Sequence, residues 1–486
     1  MNHLLPLFRK LPEGSNLSRR DQICELVSAA ISARAVSPHV PLPSCRQMAD
    51  QLGVSRNTVF AAYSRLIDLG LIVARDRSGY YVNRELLALP ERPETDQAGD
   101  TQVPAPVKLP PSSLIPLDNP LDWRSYPYPF IYNQIDPDLF PVDDWRECAR
   151  LALGRKNVKL WTGDSVESDS PYLIEQLRQR LLGARGILAR SDEILVTLGA
   201  QNALSILGTL FASFDEPIAV EDPGFFGAFN AFRMAGNRLV GVPIDREGLI
   251  PSAIPAGVKL VFATPSHQFP TMVTMSTARR RELLDAAEEK DFLIIEDDYE
   301  AEMNFQARSS PSLRSMDRNQ RVIYIGSFSK TLSPGIRIGF MVAHRDIIRE
   351  ARVVRGTMYR HPPSLIQEVV ALFIRLGYFD AHLRNLERRY KRRWQAMRQA
   401  ISTHLDMLNQ FDNRGGTSFW LTGPRGFDAT LLRTRLRERG VLIDRGQTFH
   451  LEQGRRNGLR LGFAFVPVEK MEAGVKIIAQ EVNKLI

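Results

Sequence analysis

Val322-Ile323-Tyr324-Ile325-Gly326-Ser327-Phe328-Ser329-Lys330 runs directly into Thr331-Leu332-Ser333-Pro334-Gly335-Ile336-Arg337-Ile338-Gly339-Phe340. The opening residues read as a short buried strand. The strand breaks into a loop of serine, glycine and proline that holds one lysine. Desolvation of a lysine favours its neutral amine, the form that attacks carbonyls. Ser327 and Ser329 precede Lys330, and Arg337 follows seven positions later. Hydroxyls and a guanidinium around a reactive amine suit an aldehyde cofactor that also carries a phosphate. A surface loop whose lysine meets water reads equally well from this string by itself, so the rest of the chain decides.

Upstream, the pattern alternates β-rich runs with helical ones. Ile194–Leu198 precedes Gly199-Ala200-Gln201 and the helical stretch Asn202–Phe211. Ile218–Val220 ends at Glu221-Asp222-Pro223-Gly224-Phe225, and Leu260–Ala263 at Thr264-Pro265-Ser266-His267-Gln268-Phe269-Pro270. Phe292–Ile295 ends at Glu296-Asp297-Asp298-Tyr299. Every cluster sits at the carboxyl end of a strand, where open α/β sheets bind ligands. Ala200 and Gln201 open a helix, whose free N–H groups make an anion site for a phosphate. Ser327 and Arg337 add a hydroxyl and a fork. Phe225 follows a tight Pro-Gly turn and is placed to stack on a flat ring. Residues two apart on a strand face the same way, so Asp297 and Tyr299 point together and Asp298 points away. A carboxylate beside a pyridine nitrogen keeps it protonated, a phenol tunes the ring hydroxyl, and Lys330 closes the Schiff base. Each piece alone has a bland reading as a turn, core or surface residue. Together and in order they define one site. Past Phe340 a long helical stretch leads to Phe419–Leu421, Gly440–Leu442 and Leu459–Ala464, a small α+β subdomain.

The first 84 residues differ in kind. They carry eleven Lys and Arg against six Asp and Glu. Asp21–Ala35 is a helical pattern with one apolar face. Ser44 caps Cys45–Leu52, with Gln47 completing a capping box, and Gly53 ends it. Ser55 caps Arg56–Leu69, closed by Gly70. Two helices across so short a turn make a helix-turn-helix. Leu71–Ala74 and Gly79–Val82 then flank Arg75-Asp76-Arg77-Ser78 as the hairpin of a wing. The second helix presents Arg56, Asn57 and Thr58 in its first turn, where side chains meet base edges and the helix N-terminus meets phosphate. Ser44, Arg46 and Ser55 stand at the neighbouring helix starts, and Arg75 and Arg77 at the wing tip can follow a groove. These are the candidate DNA contacts.

The totals agree. A chain of 486 residues with 44% hydrophobic content calls for more than one core. No apolar run approaches the 18 residues of a membrane span, and the N-terminus lacks the order of a signal peptide. Cys24, Cys45 and Cys148 fit neither a disulfide framework nor a metal site, which points to a reducing cytoplasm. The net charge of +8 permits a nucleic-acid partner. Between Pro90 and Pro120 lie eight prolines, which read as an extended spacer. The expected organisation is a winged helix-turn-helix at 15–84, a proline-rich linker at 85–127, and a larger α/β domain at 128–486 whose small subdomain covers about 375–486.

Two resemblances follow from these motifs. Leu42-Pro43-Ser44-Cys45-Arg46 through Leu52-Gly53-Val54-Ser55-Arg56-Asn57-Thr58-Val59 resembles the DNA-binding domain of GntR-type bacterial regulators. Residues from about 128 onward resemble the fold-type-I aminotransferases, which bind pyridoxal 5′-phosphate. The whole resembles the MocR subfamily, which joins the two. The motifs that carry it are Glu221–Phe225, Thr264–Thr271, Glu296–Tyr299, Ser327–Lys330 and Arg460-Leu461-Gly462-Phe463-Ala464. The resemblance implies that Arg460 grips a ligand carboxylate. It also implies a head-to-tail homodimer with exchanged heads, bound to double-stranded operator DNA with sites often in direct repeat. His361-Pro362-Pro363 matches too, without a role. Aminotransferases usually carry Asn-Pro-x-Gly where this chain has Phe269-Pro270-Thr271-Met272. The absent asparagine normally donates to the ring hydroxyl, which leaves His267 or Tyr299 to serve. Met272 replaces a glycine that the subfamily keeps, and Phe225 a frequent tyrosine.

The leading expectation is therefore a cytoplasmic regulator that holds pyridoxal phosphate on Lys330 and senses an amine or amino-acid-like effector by transimination. The alternatives are an aminotransferase with an appended DNA-binding domain, and a cofactor-free regulator on a degenerate fold. A basic run, Arg384, Arg388, Arg389, Lys391, Arg392 and Arg393, lies on a predicted helix. A solvated face is its simpler reading, and extra DNA contact its alternative.

Overall fold

Serine hydroxyls set where the first helices begin. Ser18, Ser44 and Ser55 each accept a backbone N–H of the turn that follows, opening α1 (Arg19–Ser32), α2 (Cys45–Leu52) and α3 (Arg56–Asp68). Ser44 and Gln47 form the reciprocal capping box. Gly53 ends α2 in the left-handed conformation, at φ +64°. An antiparallel hairpin of β1 (Ile72–Arg75) and β2 (Gly79–Val82) follows. Ile23, Val27, Met48, Val59, Leu66 and Val82 close a separate core under these elements. The fold is a winged helix-turn-helix. α1 starts and stops two to three residues earlier than periodicity suggests, because the Ser18 cap fixes its start.

The computed structural model describes residues 7–8, 17–76, 78–84, 114–115, 119–131, 135–212, 216–306, 310–452, 454 and 457–486. The chain divides into two compact units, 1–107 and 108–486. Most of the expected linker, 85–113 and 116–118, lies outside the described residues, as does Arg77. The described part of that stretch belongs to the second unit. Ile115 exchanges two backbone hydrogen bonds with the Asn230 side chain, and the Trp123 ring meets Phe465 edge-on at 4.9 Å. Proline content alone could not reveal these anchors.

The second unit holds two sheets. One strand precedes them, β3 (Tyr128–Phe130). Then come β4 (Ile194–Thr197), β5 (Ile218–Asp222), β6 (Leu239–Asp245), β7 (Gly248–Leu249), β8 (Leu260–Ala263), β9 (Leu293–Asp297), β10 (Val322–Ser327) and β11 (Gly339–Val342). They form an eight-stranded sheet in the order β4-β11-β10-β9-β8-β5-β6-β7. β10, β9, β8, β5 and β6 run parallel, while β11 runs antiparallel to both β10 and β4. The carboxyl ends of β4, β5, β8, β9 and β10 therefore share one edge. Nearly every residue of these five strands is buried, the signature of a sheet covered on both faces.

The smaller sheet adds β12 (Asn409–Gln410), β13 (Ser418–Thr422), β14 (Val441–Arg445) and β15 (Gly458–Gly462), in the order β12-β13-β15-β14-β3. Its edge strand β3 comes from residues 128–130, far from the 375–486 span expected for this subdomain. Three residues carry too little pattern to show their sheet. The long helix Tyr378–His404 packs Leu386, Tyr390, Trp394, Met397 and Ile401 onto the core of this subdomain.

Candidate cofactor site and nucleic-acid interface

The shared carboxyl edge opens into a cavity of about 220 Å³. Ala200 and Gln201 line one side of it, at the start of the helix Ala200–Leu210. Gly199 precedes them at φ +89°, and a Cβ there would come 3.3 Å from the Arg337 guanidinium. Arg337 donates to the carbonyl of Leu198 and so lies over the same turn. Ser327, at the end of β10, accepts the Ser329 N–H at 3.2 Å. Helix N–H groups, two hydroxyls and an arginine thus converge on one end of the cavity, an arrangement for a phosphate.

Phe225, Asp297, Tyr299 and Lys330 also line the cavity. Asp298 turns the other way, onto Arg185 at 2.8 Å and the Tyr324 hydroxyl at 3.0 Å. Strand alternation thus carries through the end of β9. Burial, with Asp298 and Glu221 nearby, pushes the Asp297 carboxyl up to about 7, and Lys330 pulls it back. Its Oδ1 is buried and finds no hydrogen-bond partner among the described residues. A buried carboxyl oxygen without a donor costs about 1–3 kcal/mol. A protonated ring nitrogen would supply that donor. The orphaned oxygen and the Gly199 turn both fit pyridoxal phosphate. Burial raises the Tyr299 phenol well above its ordinary range, with Glu300 adding to the effect. Its hydroxyl points to the Met272 sulfur at 3.9 Å.

Two expected residues stand elsewhere. His267 does not line the cavity; it is buried at 1% exposure, with neither ring nitrogen hydrogen-bonded among the described residues. Burial lowers its pKa. After β8 the chain leaves the strand, so strand parity no longer tells which side chains face the ligand. Phe269 takes the facing position instead, with Thr264. Arg460 is fully buried and lies outside the lining, with its guanidinium 5.1 Å over the Phe269 ring and Nη1 donating to Asp444 at 2.9 Å.

Sequence reading missed Thr264, Phe269 and Pro334 as lining residues. Phe269 was visible only as a departure from an asparagine. Met272 sits at φ +62°, so the glycine-type conformation survives the substitution. Gly416 makes room for it, since a Cβ there would come 2.6 Å from the Met272 sulfur.

On the head, Arg46, Arg56 and Asn57 are exposed and Thr58 is half-buried. The hydroxyls of Ser44 and Ser55 are committed to their caps, and Ser55 Oγ also lies 2.8 Å from Thr58 Oγ1. Arg75 belongs to β1 rather than to the turn, and its guanidinium lies 4.2 Å over the Tyr81 ring. Phe60, one turn beyond Arg56, is 58% exposed, an apolar side chain beside the basic first turn that periodicity did not single out.

Residues 19–82 match the family described as bacterial regulatory proteins, gntR family, and residues 162–478 match aminotransferase class I and II. The HTH-type transcriptional regulator TauR of Rhodobacter capsulatus is 37% identical over 475 residues, covering 97% of this chain and 98% of that protein. The probable rhizopine catabolism regulatory protein MocR of Rhizobium meliloti is 30% identical, covering 96% of this chain and 94% of that one. Among solved structures, the α-aminoadipate aminotransferase LysN of Thermus thermophilus, complexed with N-(5′-phosphopyridoxyl)-L-leucine, aligns with a TM-score of 0.69 at 29% identity. That alignment covers 75% of this chain and 94% of LysN.

Proposed function

The chain belongs to the MocR-type regulators, in which a gntR-family head is joined to an aminotransferase class I and II unit, and from this premise we propose that it is a DNA-binding regulator switched by an amine at a pyridoxal phosphate site. The observation that carries the reading is the buried, unpartnered Oδ1 of Asp297 in a cavity shared with Lys330, on a chain that also has a winged helix-turn-helix. When bound, the cofactor supplies a carbonyl carbon on which one amine can replace another. Lys330 would hold that carbon covalently at rest and be released when an effector amine takes its place. Asp297 would keep a proton on the ring nitrogen. Tyr299 would orient the ring hydroxyl, and Phe225 would stack on the ring. The helix start at Ala200 and Gln201, with Ser327 and Arg337, would bind the phosphate. Arg460 would receive an effector acid. Arg46, Arg56, Asn57 and Thr58 would read operator DNA. A homodimer would present two heads to two half-sites, and its working compartment would be the cytoplasm, in keeping with the lack of any membrane-spanning helix among the described residues.

A true aminotransferase is the second reading, and the retained trio of Lys330, Asp297 and Tyr299 favours it. Phe269, an apolar ring in the place of a hydrogen-bond donor, weighs against efficient turnover. Lys330→Ala separates the two. The variant should lose visible absorbance that borohydride bleaches, lose the spectral and DNA-binding response to a screen of primary amines, and keep its DNA affinity. An unchanged effector response in the variant would remove Lys330 from the switch. Keto acid released over many turnovers by the wild type would make the enzyme reading the right one.

A further inference from the structure

The helix Tyr378–His404 carries seven Arg and Lys against two acids. At about 100° per residue, Arg384, Arg388, Lys391, Arg392 and Arg398 fall on one face, opposite the buried side of the helix. All five are exposed. None makes an ion pair with a carboxylate of the described residues. Arg393, by contrast, turns inward to Asp136 and the Ala464 carbonyl. Other exposed arginines of this unit do find acids: Arg146 meets Asp143 at 2.8 Å, Arg180 meets Asp380 at 2.9 Å, and Arg349 meets Asp346 at 3.0 Å.

This face sets five cations against one acid, Glu387, and so holds a net repulsion. Like charges three and four residues apart each cost a helix about 0.2–0.5 kcal/mol. An anionic partner would relieve that repulsion. A second copy of this face cannot, because a two-fold contact would set cation against cation. Arg384 to Arg398 spans about 21 Å along the axis at 1.5 Å per residue. Duplex DNA presents a charge about every 1.7 Å of its axis, so a stripe of that length meets several phosphates. We propose that the outer face of this helix is a second nucleic-acid-binding surface, which engages the phosphate backbone of duplex DNA without reading its sequence. It would add affinity and salt dependence to whatever the head contributes.

The test uses the full-length, cofactor-loaded protein and a random-sequence duplex of about 40 base pairs, long enough for several phosphate contacts. Arg384→Gln, Arg388→Gln, Lys391→Gln and Arg392→Gln are made together. Glutamine keeps helix propensity, and retained cofactor absorbance reports an intact unit. A control of equal net charge carries Arg146→Gln, Arg190→Gln, Arg345→Gln and Arg349→Gln. Each phosphate contact contributes about 0.9 to the slope of log affinity against log salt, so loss of four contacts should shrink the slope by about 3.6 in the test variant. Low-salt affinity should fall more than tenfold, and the control should keep its slope. A variant with lysine at positions 384, 388 and 392 should behave as wild type, because a backbone contact needs charge and not a fork. The proposal is overturned if the test variant keeps the wild-type slope, or if the control loses as much. It is also overturned if only binding to phosphatidylserine vesicles is lost while the DNA slope stands, which would assign the face to a membrane surface.

Discussion

Asp297 is where the chemistry of the cavity is most exposed to experiment. Its ordinary pKa of 3.8 is pushed to about 7, first by burial and then by Asp298 and Glu221. A raised carboxyl pKa means that the folded state binds a proton the unfolded chain has released. The protonated form thus supports the fold below pH 4, and that support is lost as pH rises through about 7. Asparagine has the same shape and no charge to bury. Cofactor-free Asp297→Asn should match the wild type near pH 4 and exceed it at pH 8 by about 2–4 kcal/mol, because a tenfold change in proton affinity on folding is worth about 1.4 kcal/mol. The same variant should bind pyridoxal phosphate more weakly, because an amide cannot hold a proton on the ring nitrogen. Thermal unfolding at the two pH values checks the first part, and cofactor titration the second. A stability gap that does not widen with pH would mean that the carboxyl is already compensated by a group of the protein.

At the scale of elements, the starts of α2 and α3 were legible because their signals are local. Ser44 with Gln47, and Ser55 before Arg56, set the starts of α2 and α3 by chemistry contained within four residues. Ser55→Ala should therefore lower the stability of the head by about 1 kcal/mol through the lost bond to the Thr58 N–H. It should weaken DNA binding as well, because the same turn presents Arg56 and Asn57. A DNA affinity unchanged by the substitution would separate the cap from the reading surface. Five strands of the large sheet, β4, β5, β8, β9 and β10, were legible for a related reason: buried parallel strands are continuous apolar runs with polar residues at their ends, whereas β6, β7 and β11 were not read from the sequence. What failed to read were features fixed by distant contacts. The placement of His267 depends on the turn after β8, and that of β3 on pairing with residues 441–443. The hold on Arg460 depends on Asp444, its cross-strand neighbour in β14. No periodicity encodes such partners.

For the whole molecule, the relevant fact is that two units each carry their own core. Ile23, Val59, Leu66 and their neighbours stabilise the head. The clusters around Phe229 and Phe262, around Phe328 and Phe373, and around Trp394 and Phe419 stabilise the other unit. A ligand that binds only a folded unit stabilises that unit, by about 2.7 kcal/mol at a hundred times its dissociation constant. Every candidate contact to pyridoxal phosphate lies between residues 200 and 337, within the second unit. Calorimetry should then resolve two transitions. Added cofactor should raise one of them, the same one that Asp297→Asn moves in the cofactor-free protein. Ser55→Ala should lower the other and leave the first in place. If a single transition responds to all three changes, the units unfold as one cooperative block. The effector signal would then pass through shared stability, since whatever tightens the cavity would also tighten the head. If the two transitions stay independent even with cofactor and effector bound, stability carries no signal between the units. Regulation would then have to act through the arrangement of the heads, which is a question of assembly rather than of folding.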